Sequence, residues 1–244
     1  QRWYSGETIS LGIGQGYNSF TMLQIAHAMG TVANNGLKMK PHLVREVLDV
    51  ETKASTPVAK EPIGQLPLTP ENLEVIKRGM VGVNIEGTSA TSFVGAQYVS
   101  AGKTGTAQVF TVKQNEKYNA SNIDERMRDH ALFVAFAPAD DPKVALAMVV
   151  ENAGFGAQNA APIARRVFDF VIMGQYPSQE DIEAVQKGQA TRPIGKSRPV
   201  ASVPWPPKAA ELAVEEPVTA ASAAEKAASA AAKAASAAGK PASA

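Results

Sequence analysis

Ser100-Ala101-Gly102-Lys103-Thr104-Gly105-Thr106-Ala107-Gln108-Val109-Phe110-Thr111-Val112 is the stretch on which the reading of this chain turns. From Thr106 onward apolar and polar residues alternate, and β-branched and aromatic side chains are frequent, which favours a strand over a helix. Two catalytic patterns fail here on geometry. Gly102-Lys103-Thr104 has the ending of a phosphate-binding loop, but that loop needs a glycine five residues before its last glycine and a helix directly after the lysine. Position 97 is Gln97, and a strand follows. Ser100 and Lys103 satisfy the S-x-x-K spacing of an activated serine, which works only on a helix, where residues three apart share a face. On a strand they point to opposite faces, so Ser100 is expected to be a solvent-facing strand serine and a poor nucleophile.

A strand at the rim of a sheet leaves a row of peptide groups unpaired, and an extended peptide can add to it as one more strand. Gly105 lets a second backbone come close, while Thr104 and Thr106 present hydroxyls on one face. Lys103-Thr104-Gly105-Thr106 resembles the third, K-T-G, motif of the penicillin-recognising serine enzymes. The segment Ser10-Leu11-Gly12-Ile13-Gly14-Gln15-Gly16-Tyr17 resembles one that precedes a core helix in class B penicillin-binding proteins of the elongation type. Asp129-His130-Ala131-Leu132-Phe133-Val134-Ala135-Phe136-Ala137-Pro138 and the strand partner at 144–152 are similar to the same family.

That resemblance, to peptidoglycan D,D-transpeptidases, covers roughly residues 1–174. It implies an α+β fold in which an antiparallel sheet is flanked by helices, as in transpeptidases and β-lactamases. It also implies serine acyl transfer on the D-Ala-D-Ala end of stem peptides, with β-lactams as inhibitors and no cofactor. Lys103, Thr104, Gly105 and Thr106 would then be the catalytic residues of this chain, with the Thr106 N–H as half of the oxyanion hole. The chain departs from the family in two respects. No helical S-x-x-K and no S-x-N or S-x-D triplet occurs in the 244 residues, so the nucleophilic serine and its lysine are expected in a missing N-terminal part and these residues alone are expected to be inactive. The loop Asn84-Ile85-Glu86-Gly87-Thr88 is also shorter than the usual glycine-rich form. A sensor that captures ligand without turnover, a division-type transpeptidase and a β-lactamase or carboxypeptidase relative remain alternatives. By the same resemblance the chain would work at the periplasmic face of a bacterial inner membrane, beside a membrane glycosyltransferase and the elongation machinery, its anchor lying in the missing part.

Composition narrows the field further. A net charge of +1 offers no basic stripe for nucleic acid, and a hydrophobic content of 45% suffices for a sizeable core. With no cysteine, disulfides and thiolate metal sites are excluded. His27, His42 and His130 lack ligand spacing, so no metal is expected. Gly12-Ile13-Gly14-Gln15-Gly16 fails the dinucleotide spacing because position 17 is Tyr17, and a tight backbone approach is the simpler reason for its glycines.

Helical periodicity of Met22, Ile25, Ala26, Met29, Val32 and Ala33, stopped by Gly36, predicts an amphipathic helix over 20–35, with His27 on its polar side. Residues 42–50 read as a strand and 54–66 as an exposed loop. Thr69 with Pro70 predicts an N-cap and first turn for a helix through about Val83. The polar connection at 113–128 reads as a solvated rim or an active-site flap, and Asp140-Asp141-Pro142 as a turn between apolar strands. A helix over 159–173 is expected to pack on the sheet through Ile163, Val167, Phe170 and Val171. The transpeptidase domain is thus placed at 1–174, a proline-rich linker at 175–208, and a low-complexity tail at 209–244 in which Ser222–Ala228 recurs with lysine at each fifth place. Alanine buries too little area to hold a packed core, so the tail is expected to be disordered.

Overall fold

Ala131, Phe133, Ala135 and Ala137 alternate along one strand and, with Phe136 on its other face, have no exposed surface, so this strand runs through the centre of the fold. The computed structural model describes residues 3–109, 119, 123–189 and 191–203. The expected extension of the motif strand through Val112, most of the connection at 113–128 and the tail at 209–244 lie outside the described residues. In chain order the elements are α1 (Ser5–Gly12), α2 (Met22–Ala33), β1 (Leu37–Met39), β2 (Glu46–Leu48), β3 (Ser55–Pro57), β4 (Pro62–Gln65), α3 (Pro70–Ile85), α4 (Ala90–Phe93), β5 (Ala101–Ala107), β6 (His130–Ala137), β7 (Val144–Val150), α5 (Gly156–Asn159), α6 (Ala161–Met173), β8 (Gln175–Tyr176), α7 (Gln179–Gln186) and β9 (Arg198–Pro199). All lie within Gln1–Val200.

The principal sheet is antiparallel in the order β5-β6-β7, with Lys103 opposite Val134 and Phe133 opposite Met148. Because side chains alternate across a strand, its two faces build two cores. On one, Phe93 of α4 and Ala160, Ala161, Ala164 and Phe168 of the α6 region meet Ala131, Phe133 and Ala135. On the other, Ala33 and Met29 of α2 and Met80 of α3 meet Ala101 and Phe136. Each fully buried phenylalanine contributes about 1.5–3 kcal/mol, and the antiparallel sheet flanked by helices is the architecture expected from the sequence.

Local signals set the helix starts. Thr21 Oγ1 accepts from Gln24 N at 3.2 Å while Gln24 Oε1 accepts from Thr21 N at 2.9 Å, a reciprocal cap on α2. Thr69 Oγ1 accepts from Asn72 N at 3.3 Å with Pro70 in the first turn of α3.

Three expectations need correction. Residues 54–66 carry β3 and β4, paired with β2 and β1, although as expected they are exposed. On α6 the buried residues are Ala161, Pro162, Ala164, Arg165 and Phe168, whereas Val167, Phe170 and Val171 are 37%, 44% and 52% exposed. Small alanines beside Phe168 allow the helix axis to approach the sheet closely, and Val167, Phe170 and Val171 face outward. The described part of the expected linker at 175–208 carries α7 and the β8–β9 pair, and Asp181 there is among the most buried side chains.

Candidate active site

Among the described residues β5 is an outermost strand, paired to β6 on one side only. In a strand the N–H and C=O of one residue point the same way, and the direction reverses at the next residue. Lys103 Nζ donates to Thr104 O at 2.8 Å and Gln15 Nε2 donates to Thr106 O at 3.0 Å. Both carbonyls therefore lie on the edge away from β6, and Thr104 and Thr106 turn their peptide groups to the open side. The ammonium of Lys103, exposed, sits over that same edge. Lys103, Thr104, Gly105 and Thr106 thus lie on a strand that, among the described residues, has no partner strand on one flank.

Close backbone approach fixes the strand from the other directions. A Cβ on Gly156 would stand 2.4 Å from Gly105 O, so α5 can rest against β5 only with glycine at its start. A Cβ on Gly102 would meet the Phe133 ring at 2.6 Å and the Asn84 amide at 3.1 Å. Asn84, Ser89 and Ser100 form a buried, fully bonded group: Asn84 Nδ2 donates to Ser100 Oγ at 2.8 Å and Ser89 Oγ donates to Asn84 Oδ1 at 2.6 Å. Ser100 is therefore not solvent-facing, as the strand pattern suggested, but 3% exposed, because the end of α3 packs across the start of β5 and needs a polar partner for Asn84. Its hydroxyl is committed to that contact, and it stays a poor nucleophile.

Sequence reasoning missed two neighbours of the motif. Thr88, just beyond α3, shares a hydrogen bond of 2.9 Å with the Thr104 hydroxyl; the expected loop at 84–88 begins as the last turn of α3, through Ile85, and the turn that follows braces the motif strand. Gln15 comes from 91 positions away. The glycines on either side of it were the available signal: Gly14 and Gly16 have φ of +80° and +68°, a region open to glycine.

The three histidines are bonded to backbone groups. His27 Nε2 lies 2.6 Å from Met39 O, His42 Nδ1 2.7 Å from Val44 O, and His130 Nδ1 accepts from Asn152 N at 2.9 Å. Among the described residues no cluster of three metal-binding side chains occurs, and no helix is long and apolar enough to cross a membrane. A cavity of about 300 Å³ lies between α6 and residues 175–197, away from β5, and its charged lining is internally paired. Arg165 Nε bonds Asp169 at 2.8 Å, and Arg166 holds Asp181 through two bonds of 2.8 and 2.6 Å. Tyr98 donates to Asp169 at 2.8 Å, and burial followed by the Asp169 charge pushes its hydroxyl far above the usual phenol range.

Comparison with known proteins adds sequence and fold likeness to this geometry. The family described as the penicillin binding protein transpeptidase domain matches residues 1–169. The chain is 42% identical over 187 residues to the peptidoglycan D,D-transpeptidase MrdA of Haemophilus influenzae, covering 73% of this chain and 28% of that protein. It is 40% identical over 175 residues to MrdA of Escherichia coli K12, covering 70% of this chain and 27% of that protein. Among solved structures, PBP2 of Pseudomonas aeruginosa is 38% identical with a TM-score of 0.55, over 69% of this chain and 33% of that one. PBP2 of Helicobacter pylori in a complex with MreC is 27% identical with a TM-score of 0.53, over 71% and 29%. The chain thus spans under a third of the length of the curated relatives it matches.

Proposed function

The chain belongs to the penicillin-binding protein transpeptidase domain family, and on that premise we propose that it supplies the substrate-edge half of a peptidoglycan D,D-transpeptidase site. The observation that carries this reading is the position of Lys103-Thr104-Gly105-Thr106 on an outermost strand, with two peptide groups turned outward. A stem peptide ending in D-Ala-D-Ala adds along that edge. The Lys103 ammonium and the hydroxyls of Thr104 and Thr106 face its terminal carboxylate. A serine from outside these 244 residues attacks the penultimate D-alanyl carbonyl, and the developing oxyanion is held by the Thr106 N–H and the serine's own N–H. D-alanine departs with a proton on its nitrogen, leaving an ester on the serine. The amine of a second stem peptide then forms the new C–N bond and returns the serine. A β-lactam enters the first step through its strained amide, and its leaving group stays tethered.

The kinship with MrdA and PBP2 supports work at the periplasmic face of an inner membrane, alongside a glycosyltransferase and the elongation machinery. The complex of the H. pylori relative with MreC shows one such partner for that protein. The direct test is Lys103→Ala in the full-length protein carrying this sequence, read by labelling with a fluorescent penicillin. Labelling should fall about 10²-fold, the scale for removing a preorganised electrostatic contact. Undiminished labelling would refute the role given to Lys103, and stoichiometric labelling of the isolated 244 residues at Ser100 would refute the external serine.

A further inference from the structure

Gln15, in the Gly14-Gln15-Gly16 turn, has no part in the chemistry proposed above, and its side chain sits on one of the two outward carbonyls of the substrate edge. An extended peptide joining the open edge of β5 must bring a peptide N–H to an outward carbonyl of the strand. Thr106 O is such a carbonyl, and Gln15 Nε2 already donates to it at 3.0 Å. We propose that Gln15 is a displaceable stand-in for the substrate's peptide N–H, a specificity-determining residue that closes the Thr106 end of the substrate edge until an amide-bearing acyl donor takes its place.

The turn is built to hold this side chain in place while leaving it free to swing. Gln15 N donates to Ser10 O at 2.9 Å, and Asn18 Nδ2 donates to Leu11 O at 3.0 Å and to Gln15 O at 3.3 Å. The backbone of Gln15 is thereby tied to the end of α1, and the flanking glycines at positive φ make the tight bend possible. Beyond the Cα only rotatable bonds lead to the amide. An edge carbonyl without a partner would be a template for any strand, so a side-chain amide there covers the edge without a rival strand. Displacement costs one partly buried neutral hydrogen bond, which the incoming N–H restores.

This inference rests on the transpeptidase reading, and the test separates the two. In the full-length protein, acylation rates are measured with penicillin G, whose acylamino group carries an N–H, and with imipenem, which has a hydroxyethyl group and no such N–H. Gln15→Ala removes the stand-in, and Gln15→Met removes the donor at similar length, so that loss of local packing in one variant does not decide the result. Both substitutions should raise the penicillin G rate by about three- to tenfold, the equivalent of one neutral hydrogen bond, and leave the imipenem rate within about twofold. Equal slowing with both compounds would overturn the proposal and make Gln15 an anchor of the strand. Slowing with penicillin G alone would overturn it in favour of a carbonyl shared by both donors, and unchanged rates would also overturn it. Should Lys103→Ala lose labelling while the Gln15 variants behave like the parent, this inference fails and the transpeptidase reading stands. Should Lys103→Ala label normally, the reading beneath it fails.

Discussion

Two proline-bearing stretches read alike in the sequence and end in opposite surroundings. Residues 54–66 carry β3 and β4, whose residues are all exposed, and backbone pairing with β2 and β1 holds them. A surface pair, Lys40 with Glu61 at 2.8 Å, adds little, as exposed ion pairs do. Residues 175–199 instead fold back on α6. There Asp181, 1% exposed, takes two bonds from Arg166 and a third from Ile194 N at 3.1 Å. Proline and polar content mark where the chain breaks its periodicity, but they do not say whether the broken segment finds a partner. That depends on a buried cation offered by another element.

The strongest way to break this contrast is Asp181→Ala. It leaves the Arg166 guanidinium, itself 11% exposed in its side chain, without its counter-charge. Losing one member of a buried pair costs about 3–5 kcal/mol. Thermal or denaturant unfolding of the full-length protein should show that loss. An unchanged midpoint would mean that 175–199 behaves as the connecting segment its prolines suggested.

The limits of the sequence are clearest at this same place. The sheet and its flanking helices were legible because the helical periodicity of 22–33, the Thr69–Pro70 start and the apolar stretch around 131–137 are local signals that tertiary packing did not override. The exposed edge of β5 followed from the resemblance of its four residues to a known motif. The contacts that make it a site were not legible, because Gln15 reaches Thr106 and Asn84 reaches Ser100 across long sequence distances. The face of α6 was misread for a related reason. A stripe of large apolar residues marks an amphipathic helix, but close approach to a sheet selects alanine, and Arg165 could be buried only because Asp169 and the carbonyls of Ser92 and Val94 receive it.

A finer probe of the folded-back segment is Ser178→Ala. The Ser178 hydroxyl caps α7 by accepting from Asp181 N at 3.0 Å, and it donates to Ile194 O at 2.7 Å. Removing such a cap costs about 0.5–2 kcal/mol, so the same unfolding experiment should register a smaller loss than Asp181→Ala gives. A loss as large as that of Asp181→Ala would show that the cap, and not the ion pair, docks the segment.

The exposed arm should respond to pH and very little to truncation of its side chains. Glu46 is held below the usual carboxylate range first by its contact with Arg45 and then by the Ser55 hydroxyl, and Asp49 by Thr52 N–H and hydroxyl bonds. A depressed folded value means that the stabilisation is fully present above the unfolded value and disappears as pH falls through the folded one. Acidification below about pH 4, where such carboxylates take up protons, should therefore loosen the β2–β3 ribbon. Amide exchange at 46–48 and 55–57, corrected for intrinsic rates, should quicken between pH 6 and pH 3 while protection at 131–136 stays, and Glu46→Gln should blunt the response. Equal quickening in both regions would erase the distinction between a ribbon held by surface contacts and a sheet held by its core.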